Sequence, residues 1–379
     1  MLYWKKEISG RCLPRFFSFA IMIFYPMKTQ AKIQKHGAAN RIHWIDICRG
    51  IGIILVLYGH LFVSDKNNYL IFAFHMPLFF FISGLVFKTV TNKSLLSLAF
   101  KFAKQLLIPY YIFAVMTYLF TFVSQAVSQT GGNISLSSIG YQLFGILYGS
   151  GSDGMLGYNV VLWFLPCLFI TKLTFALITK ITTQTKKLFL ILFGCGLSGY
   201  LISLFFPWLK LPFGFEIALT GLVFFGAGFL FQKHKNQLVI FSNQKALLSI
   251  TALLFTILIA TINYHSSGSK VDLRSNQLDN FFLFYLGAFG GITGWVAVSK
   301  LLVKNAFLEY LGRHSIVIFA WHNVLLSDIK PLINSLFSQD MINSITLFMP
   351  TLYAAAAISI ILFSRMVLVK LKGVAARTF

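Results

Sequence analysis

Residues 44–62 read WIDICRGIGIILVLYGHLF, an apolar run in which only Asp46, Arg49 and His60 bring acidic or basic side chains. At about 1.5 Å per residue, a helix of this length matches the ~30 Å hydrocarbon core of a bilayer. The run therefore reads as a transmembrane helix carrying three costly groups. The whole chain agrees. Its 379 residues are 57% hydrophobic and 11% charged, with a formal net charge of +22 and a mean hydropathy of +0.76. A soluble domain carries about 25% charged residues, and disordered tails and nucleic-acid binders need a polar surface on which basic residues can cluster. Those classes are excluded, and no nucleic-acid partner is expected.

Outward from this segment, apolar runs separated by charged and Gly/Ser/Asn-rich breaks predict ten helices, near 44–64, 69–91, 105–125, 159–180, 187–208, 211–232, 245–264, 280–303, 314–332 and 344–369. The expected fold is an all-α polytopic membrane protein with both termini cytoplasmic, placed in the cell (inner or plasma) membrane. Orientation comes from the basic residues, because Lys and Arg resist translocation. Of the 32, 26 fall on the N-terminal arm, the even-numbered connections and the C-terminal end; Lys66, Lys210, Lys270, Arg274 and Lys330 fall on the odd-numbered connections; Arg49 alone lies inside the first span. The chain divides into a basic cytoplasmic arm (1–43), a ten-helix membrane domain (44–372) and a cytoplasmic tail (373–379). Residues 1–26 read either as an amphipathic arm or as a misassigned start ahead of Met27, since no small-x-small cleavage site follows the apolar stretch from Phe16.

Other features read as structural. Cys12, Cys48, Cys167 and Cys195 form no disulfide framework, and buried free Cys packs as a small hydrophobe. Within the long uncharged connection near 126–158, Ile139–Tyr148 is apolar enough to lie on the membrane surface. Tyr141, Tyr148 and Tyr158 can stack on a sugar there, but interfacial Tyr is common and favoured. Trp163 and Trp321 read as packing or belt residues.

Ionisable groups within spans mark function by default. Arg49 and His60 are eleven residues apart, about three turns, so they share a helix face and stand about 16 Å apart along the axis. Asp46 lies one turn from Arg49 and can pair with it. Gly52 and Gly59 beside this stripe let a helix or ligand approach closely. The second span, FAFHMPLFFFISGLVF (72–87), places His75 at a depth similar to that of His60. Its Pro77 is expected to free the carbonyl of Ala73 and kink the helix beside His75. In KFAKQLLIPYY (101–111), Lys101 and Lys104 share a face at the expected cytoplasmic end of the third helix, where they can bind phosphates or anchor the helix. Glu216 and His322 are further candidates at related depths, against the alternatives of a water-exposed carboxylate and of interhelical hydrogen bonding.

Taken together, Asp46 with Arg49-Gly50, Tyr58-Gly59-His60, FHMPLFFFISG (74–84) and KFAKQLLIPY (101–110) resemble the membrane-bound acyltransferase 3 family, in particular its branch of sugar O-acetyltransferases related to fucose 4-O-acetylase. LWFLPCLF (162–169) and LEYLGRHS (308–315) look like further landmarks, so the resemblance covers about 45–325. It implies transfer of an acyl group, usually acetyl from cytoplasmic acetyl-CoA, to a hydroxyl of an extracytoplasmic or lipid-linked glycan, with membrane lipid as the surroundings. The family's essential histidine and arginine map onto His60 and Arg49. Acetyl-CoA or another acyl-CoA is then a donor substrate, and no permanently bound cofactor or metal is expected. One departure is that relatives often carry Arg-x-x-Arg where this chain has Lys101-x-x-Lys104, and Lys lacks the bidentate fork of Arg.

On this reading His60 and Arg49 are catalytic with His75 as a candidate, Arg49, Lys101 and Lys104 hold the donor, and Asp46, Glu216 and His322 serve the acceptor or orient the site. His60 acts as general base or as a transient acyl carrier. The rival reading is a polytopic transporter or flippase of a glycan or lipid-linked intermediate, in which the stripe binds a translocated substrate. A non-catalytic membrane partner of a glycan assembly complex is a third, against which the retention of both Arg49 and His60 counts.

Overall fold

The computed structural model describes residues 42–61, 65–89, 94–127, 136–152, 154–157, 159–234, 244–337, 341 and 348–375. The arm ahead of residue 42 and Tyr158 lie outside them, so the expectations for residues 1–26 and for that tyrosine do too. The helices are α1 (His43–Leu61), α2 (Asp65–Phe72), α3 (His75–Leu85), α4 (Leu95–Val127), α5 (Leu136–Tyr148), α6 (Phe164–Ile181, entered by a 3-10 turn at Val160–Trp163), α7 (Thr185–Phe205), α8 (Phe215–Lys233), α9 (Lys245–Ser267), α10 (Phe281–Leu301), α11 (Ala306–Arg313), α12 (Ser315–Leu336) and α13 (Met349–Ala375). There is no β-strand among the described residues. Among the described residues, ten stretches of helix are long and apolar enough to cross a membrane, and they coincide with the ten expected spans.

Between helices in lipid, close packing replaces the hydrophobic drive, so small residues decide which backbones meet. A side chain at Gly50 of α1 would collide with the carbonyl of Leu308 on α11, and one at Gly312 of α11 with the carbonyl of Asp46 on α1. The short helix α11 is thus locked to the start of the central helix. Gly84 of α3 and Gly228 of α8 meet the carbonyls of Phe225 and Phe81 in the same reciprocal way. Gly52 and Gly59 accommodate the rings of Phe79 and Phe72. The span formed by α1 is 67% buried, whereas α7 and α9 are each 22% buried. The latter two form the rim, with Phe189, Leu190, Leu254 and Leu258 turned outward.

Two spans differ in detail from the sequence expectation. Helix α4 begins at Leu95 and continues through Pro109, so Lys101 and Lys104 lie inside the helix rather than ahead of it. The second span breaks at Ala73–Phe74, and Nδ1 of His75 bonds the carbonyl of Ile71 at 2.8 Å. The Ile71 carbonyl also accepts from the Phe74 amide at 3.3 Å, and the break falls beside His75, where Pro77 was expected to kink the helix. The ring supplies the bond that the backbone N–H of residue 75 gives in an unbroken helix.

At the His60 end of α1, the α9–α10 connection folds into a polar cap. Asp272 and Gln277 exchange backbone hydrogen bonds at 2.9 Å. Arg274 donates to the Asp272 carboxylate at 2.9 Å and to the Gly151 carbonyl at 3.0 Å. Lys210 donates to the Ser275 carbonyl at 3.1 Å, and Asn276 to the Gly199 carbonyl at 3.1 Å. Three loops are thereby joined over one end of the bundle.

Candidate functional site

The last turn of α1 presents His60, and its open carbonyls are capped from neighbouring helices. Asn68 donates to the Gly59 carbonyl at 3.2 Å, and the Lys330 ammonium lies 3.4 Å from the carbonyls of both His60 and Leu61. A cation at a helix C-terminus is favoured by the helix dipole. The His60 ring stands 5.2 Å from that of His322 on α12, measured between centroids, with a 49° tilt. Neither nitrogen of His60 forms a hydrogen bond among the described residues.

His322 is held in one orientation. It is fully buried, and its Nδ1 lies 2.7 Å from the Phe319 carbonyl. A carbonyl only accepts, so Nδ1 carries the proton and Nε2 of the neutral ring presents a lone pair. That Nε2 is buried with no hydrogen-bond partner among the described residues. Asn159 fixes the same turn of α12 by donating to the Ala320 carbonyl at 2.8 Å. His75 is one ring further away: Phe72 lies between, 6.2 Å from His60 and 4.9 Å from His75. The structure brings His60 and His322 together directly, with His75 across a phenylalanine.

Glu216 is placed elsewhere. It is buried at the start of α8 and accepts from the Leu211 amide at 3.0 Å, bracing the turn in which Phe213 and Gly214 take positive φ. Its electrostatic neighbours are Cys167 and Lys210, not the histidines. Of the tyrosines, Tyr141 is exposed on α5, and Tyr148 donates to the Lys210 carbonyl at 2.6 Å.

The opposite end of α1 is a cluster of basic groups. Arg49 pairs with the buried Asp46 at 3.3 Å and keeps 31% of its side chain exposed. Lys300 is buried, with its ammonium 4.7 Å from the ring of Trp44 and 4.8 Å from that of Phe231. Phe231 also lines a largely apolar cavity of about 460 Å³ between α3, α8 and α10. On α11, Glu309 pairs with His43 at 3.0 Å, a contact that holds its carboxyl below the usual carboxylate range. His314 donates from Nδ1 to the Tyr310 carbonyl, and Arg365 meets its other nitrogen.

Lys101 and Lys104 are exposed on α4, which packs chiefly on α6 rather than on α1. Lys172 of α6 joins them: its ammonium reaches Gln105 at 2.9 Å, lies 4.6 Å from the Phe102 ring and acts electrostatically on Lys101. In the sequence, Lys172, Lys300 and Arg365 register only as basic residues of the even-numbered connections and the C-terminal end. Charge counting carries no information on burial, and the pairing of each residue with a neighbouring helix is the missing signal. Among the described residues no group of three or more His, Cys, Asp or Glu side chains is placed to hold a metal ion.

A family model described as an acyltransferase domain, that of the acyltransferase 3 family, matches residues 42–365. No curated protein and no solved structure matches the chain. The matched region runs from the start of α1 to Arg365 and contains both ends of the site, Arg49 as well as His60 and His322. The chain belongs to the acyltransferase 3 family and is a multi-pass membrane acyltransferase.

Proposed function

We propose that the protein moves an acyl group, acetyl in the simplest case, from cytoplasmic acyl-CoA to a hydroxyl of an extracytoplasmic or lipid-linked glycan, with His60 as general base. The observation that carries this reading is the pair of imidazoles. His60 has both ring nitrogens open to a partner, and beside it His322 offers a fixed, buried lone pair. A His60 N–H turned toward Nε2 of His322 leaves the other His60 nitrogen as the base. That nitrogen takes the proton of the acceptor hydroxyl as the oxygen attacks the thioester carbonyl. The C–S bond then breaks, and the departing thiolate takes the proton from His60. A thioester is already activated, so a positioned base and exclusion of water are the main requirements.

In this account the Arg49 end faces the cytoplasm and receives the donor. Arg49 pairs with Asp46 at this end, and the buried Lys300 lies over the ring of Phe231, which lines an apolar cavity. Lys101, Lys104 and Lys172 form a second basic patch for the same phosphates. The pantetheine arm then carries the thioester along α1 to His60, whereas the nucleotide part of CoA stays on the side from which it came. The transporter alternative loses ground to the family match.

The test is mass spectrometry of the cell-surface glycan from strains carrying wild type and His60→Ala. Loss of an O-acyl increment, with the variant inserted at wild-type level, is the expected result. Survival of that increment contradicts the reading.

A further inference from the structure

Lys300 stands over the rings of Trp44 and Phe231, so the C-terminal ends of α8 and α10 meet the start of α1, at the Arg49 end of the bundle. Between α3, α8 and α10 at this end lies the apolar cavity of about 460 Å³. Its walls run from Ala227 to His234 on α8 and from Phe289 to Val296 on α10, with Phe81 of α3 closing one side. Each helical wall rises about 10 Å, so the cavity reaches through most of one leaflet's half of the ~30 Å hydrocarbon core. Ala227, Leu230, Phe231 and Phe289 remain partly exposed, which leaves the cavity open at the bundle surface.

Water is a poor occupant. It needs two to four polar partners, and the polar groups on these walls are the Thr293 hydroxyl and the ring of His234, whose Nε2 already lies 3.0 Å from the Thr185 hydroxyl. Left empty, the space forfeits contacts for every group that lines it. The apolar material present at this depth is the hydrocarbon of the bilayer. The acyl group of the donor does not meet the requirement, because the transfer described above takes it to His60, three turns beyond Arg49.

The mouth of the cavity carries charge of one sign. Helix α8 ends at Lys233, beside His234. Lys233 is exposed, and its ammonium is held by neutral acceptors, the Thr183 carbonyl at 2.7 Å and the Thr185 hydroxyl at 3.4 Å. Between Asp153 and Asp272 the sequence holds one acidic residue, Glu216, which braces the turn at the other end of α8. The α6–α7 and α8–α9 connections joined here therefore contain no carboxylate. Asp46 and Glu309, at the same end of the bundle, are engaged by Arg49 and His43. A positive bias on one side of the membrane accounts for lysines at this level, but not for an unfilled apolar space beneath them.

We propose that the cavity binds one acyl chain of an anionic phospholipid from the adjoining leaflet, with the lipid phosphate at Lys233. The chain packs against Phe81, Phe231 and Phe289 and completes the wall between α3, α8 and α10. Anionic lipid is concentrated in the cytoplasmic leaflet, the side assigned above to the Arg49 end. The lipid is a structural ligand, and its binding does not depend on the chemistry at His60.

The full chain, reconstituted in vesicles of equal parts dioleoylphosphatidylglycerol and dioleoylphosphatidylcholine and extracted in nonionic detergent, tests this by native mass spectrometry of retained lipid. Wild type is expected to keep one phospholipid, with phosphatidylglycerol favoured about fivefold, the effect of one lysine at an anionic surface. Ala227→Phe, which fills the cavity, is expected to abolish retention while unfolding at or above the wild-type temperature in lipid-free detergent. The milder Ala227→Leu should weaken retention in the same direction, and it decides the matter if the larger side chain prevents folding. Lys233→Gln is expected to keep a lipid but lose the preference for phosphatidylglycerol. No retained lipid in wild type, equal retention by wild type and the Ala227 variants, or a preference that survives Lys233→Gln overturns the proposal. Displacement of the lipid by octanoyl-CoA but not by acetyl-CoA also overturns it, since the cavity would then hold the acyl chain of the donor.

Discussion

The imidazoles of His60 and His322 face each other 5.2 Å apart although 262 positions separate them in the chain, one at the end of α1 and the other within α12. The neighbour of His322 along α12, Ala320, is tied to Asn159 at the entrance to α6. The pair is thus built where three segments meet, and its geometry depends on all of them.

If the two rings act as one unit, their substitutions will not add. His322→Ala is expected to lower kcat about 10- to 100-fold with little change in KM for acetyl-CoA. The double variant with His60→Ala should be no slower than His60→Ala alone. Rates from the four proteins in membrane vesicles check this, and multiplying effects would show that the rings act independently.

The donor end should respond differently. Arg49→Ala removes a half-buried charge paired with Asp46, and an increase of about tenfold in KM for acetyl-CoA is expected. Lys101→Ala with Lys104→Ala removes exposed charges. Its effect should be a few-fold at low salt and fade near 0.5 M, as screening of surface charge requires. Donor titrations at two ionic strengths distinguish the cases. A double variant indistinguishable from wild type at low salt removes the lysine pair from donor binding.

Helix α11 makes a structural prediction. Gly312→Val drives a side chain into the Asp46 carbonyl, which is expected to cost roughly 1–3 kcal/mol or more by overpacking. A matched change at Gly140, where a Cβ meets nothing within 4 Å, should be neutral. Thermal unfolding in detergent measures both, and equal tolerance would mean that α1 and α11 are not in backbone contact.

The spans were legible because each is an apolar run with charged or polar breaks, and lipid leaves helices few alternatives. Helix α11 was not, because Ala306–Arg313 is short and mixes Glu309 and Arg313 with its apolar residues. It is held by a reciprocal glycine contact with α1 that involves no hydropathy. Pro77 signalled the break in the second span, yet the ring of His75 that serves Ile71 emerges only in three dimensions. Depth from the membrane edge places His75 level with His60. Depth does not specify facing direction, and α12 turns His322 toward His60 while Phe72 screens His75. Glu216 shared that depth and serves a turn instead. The cap at 268–280 is polar, with hydrogen bonds to distant loops, and periodicity carries no trace of such pairing.

The most direct test of the catalytic account is the rate of label transfer from radioactive acetyl-CoA to membrane glycan, in vesicles holding equal amounts of inserted wild-type and His60→Ala protein. Loss of a general base predicts a fall of about 100-fold or more with KM for acetyl-CoA nearly unchanged. A variant that keeps its rate within about threefold of wild type would contradict the account.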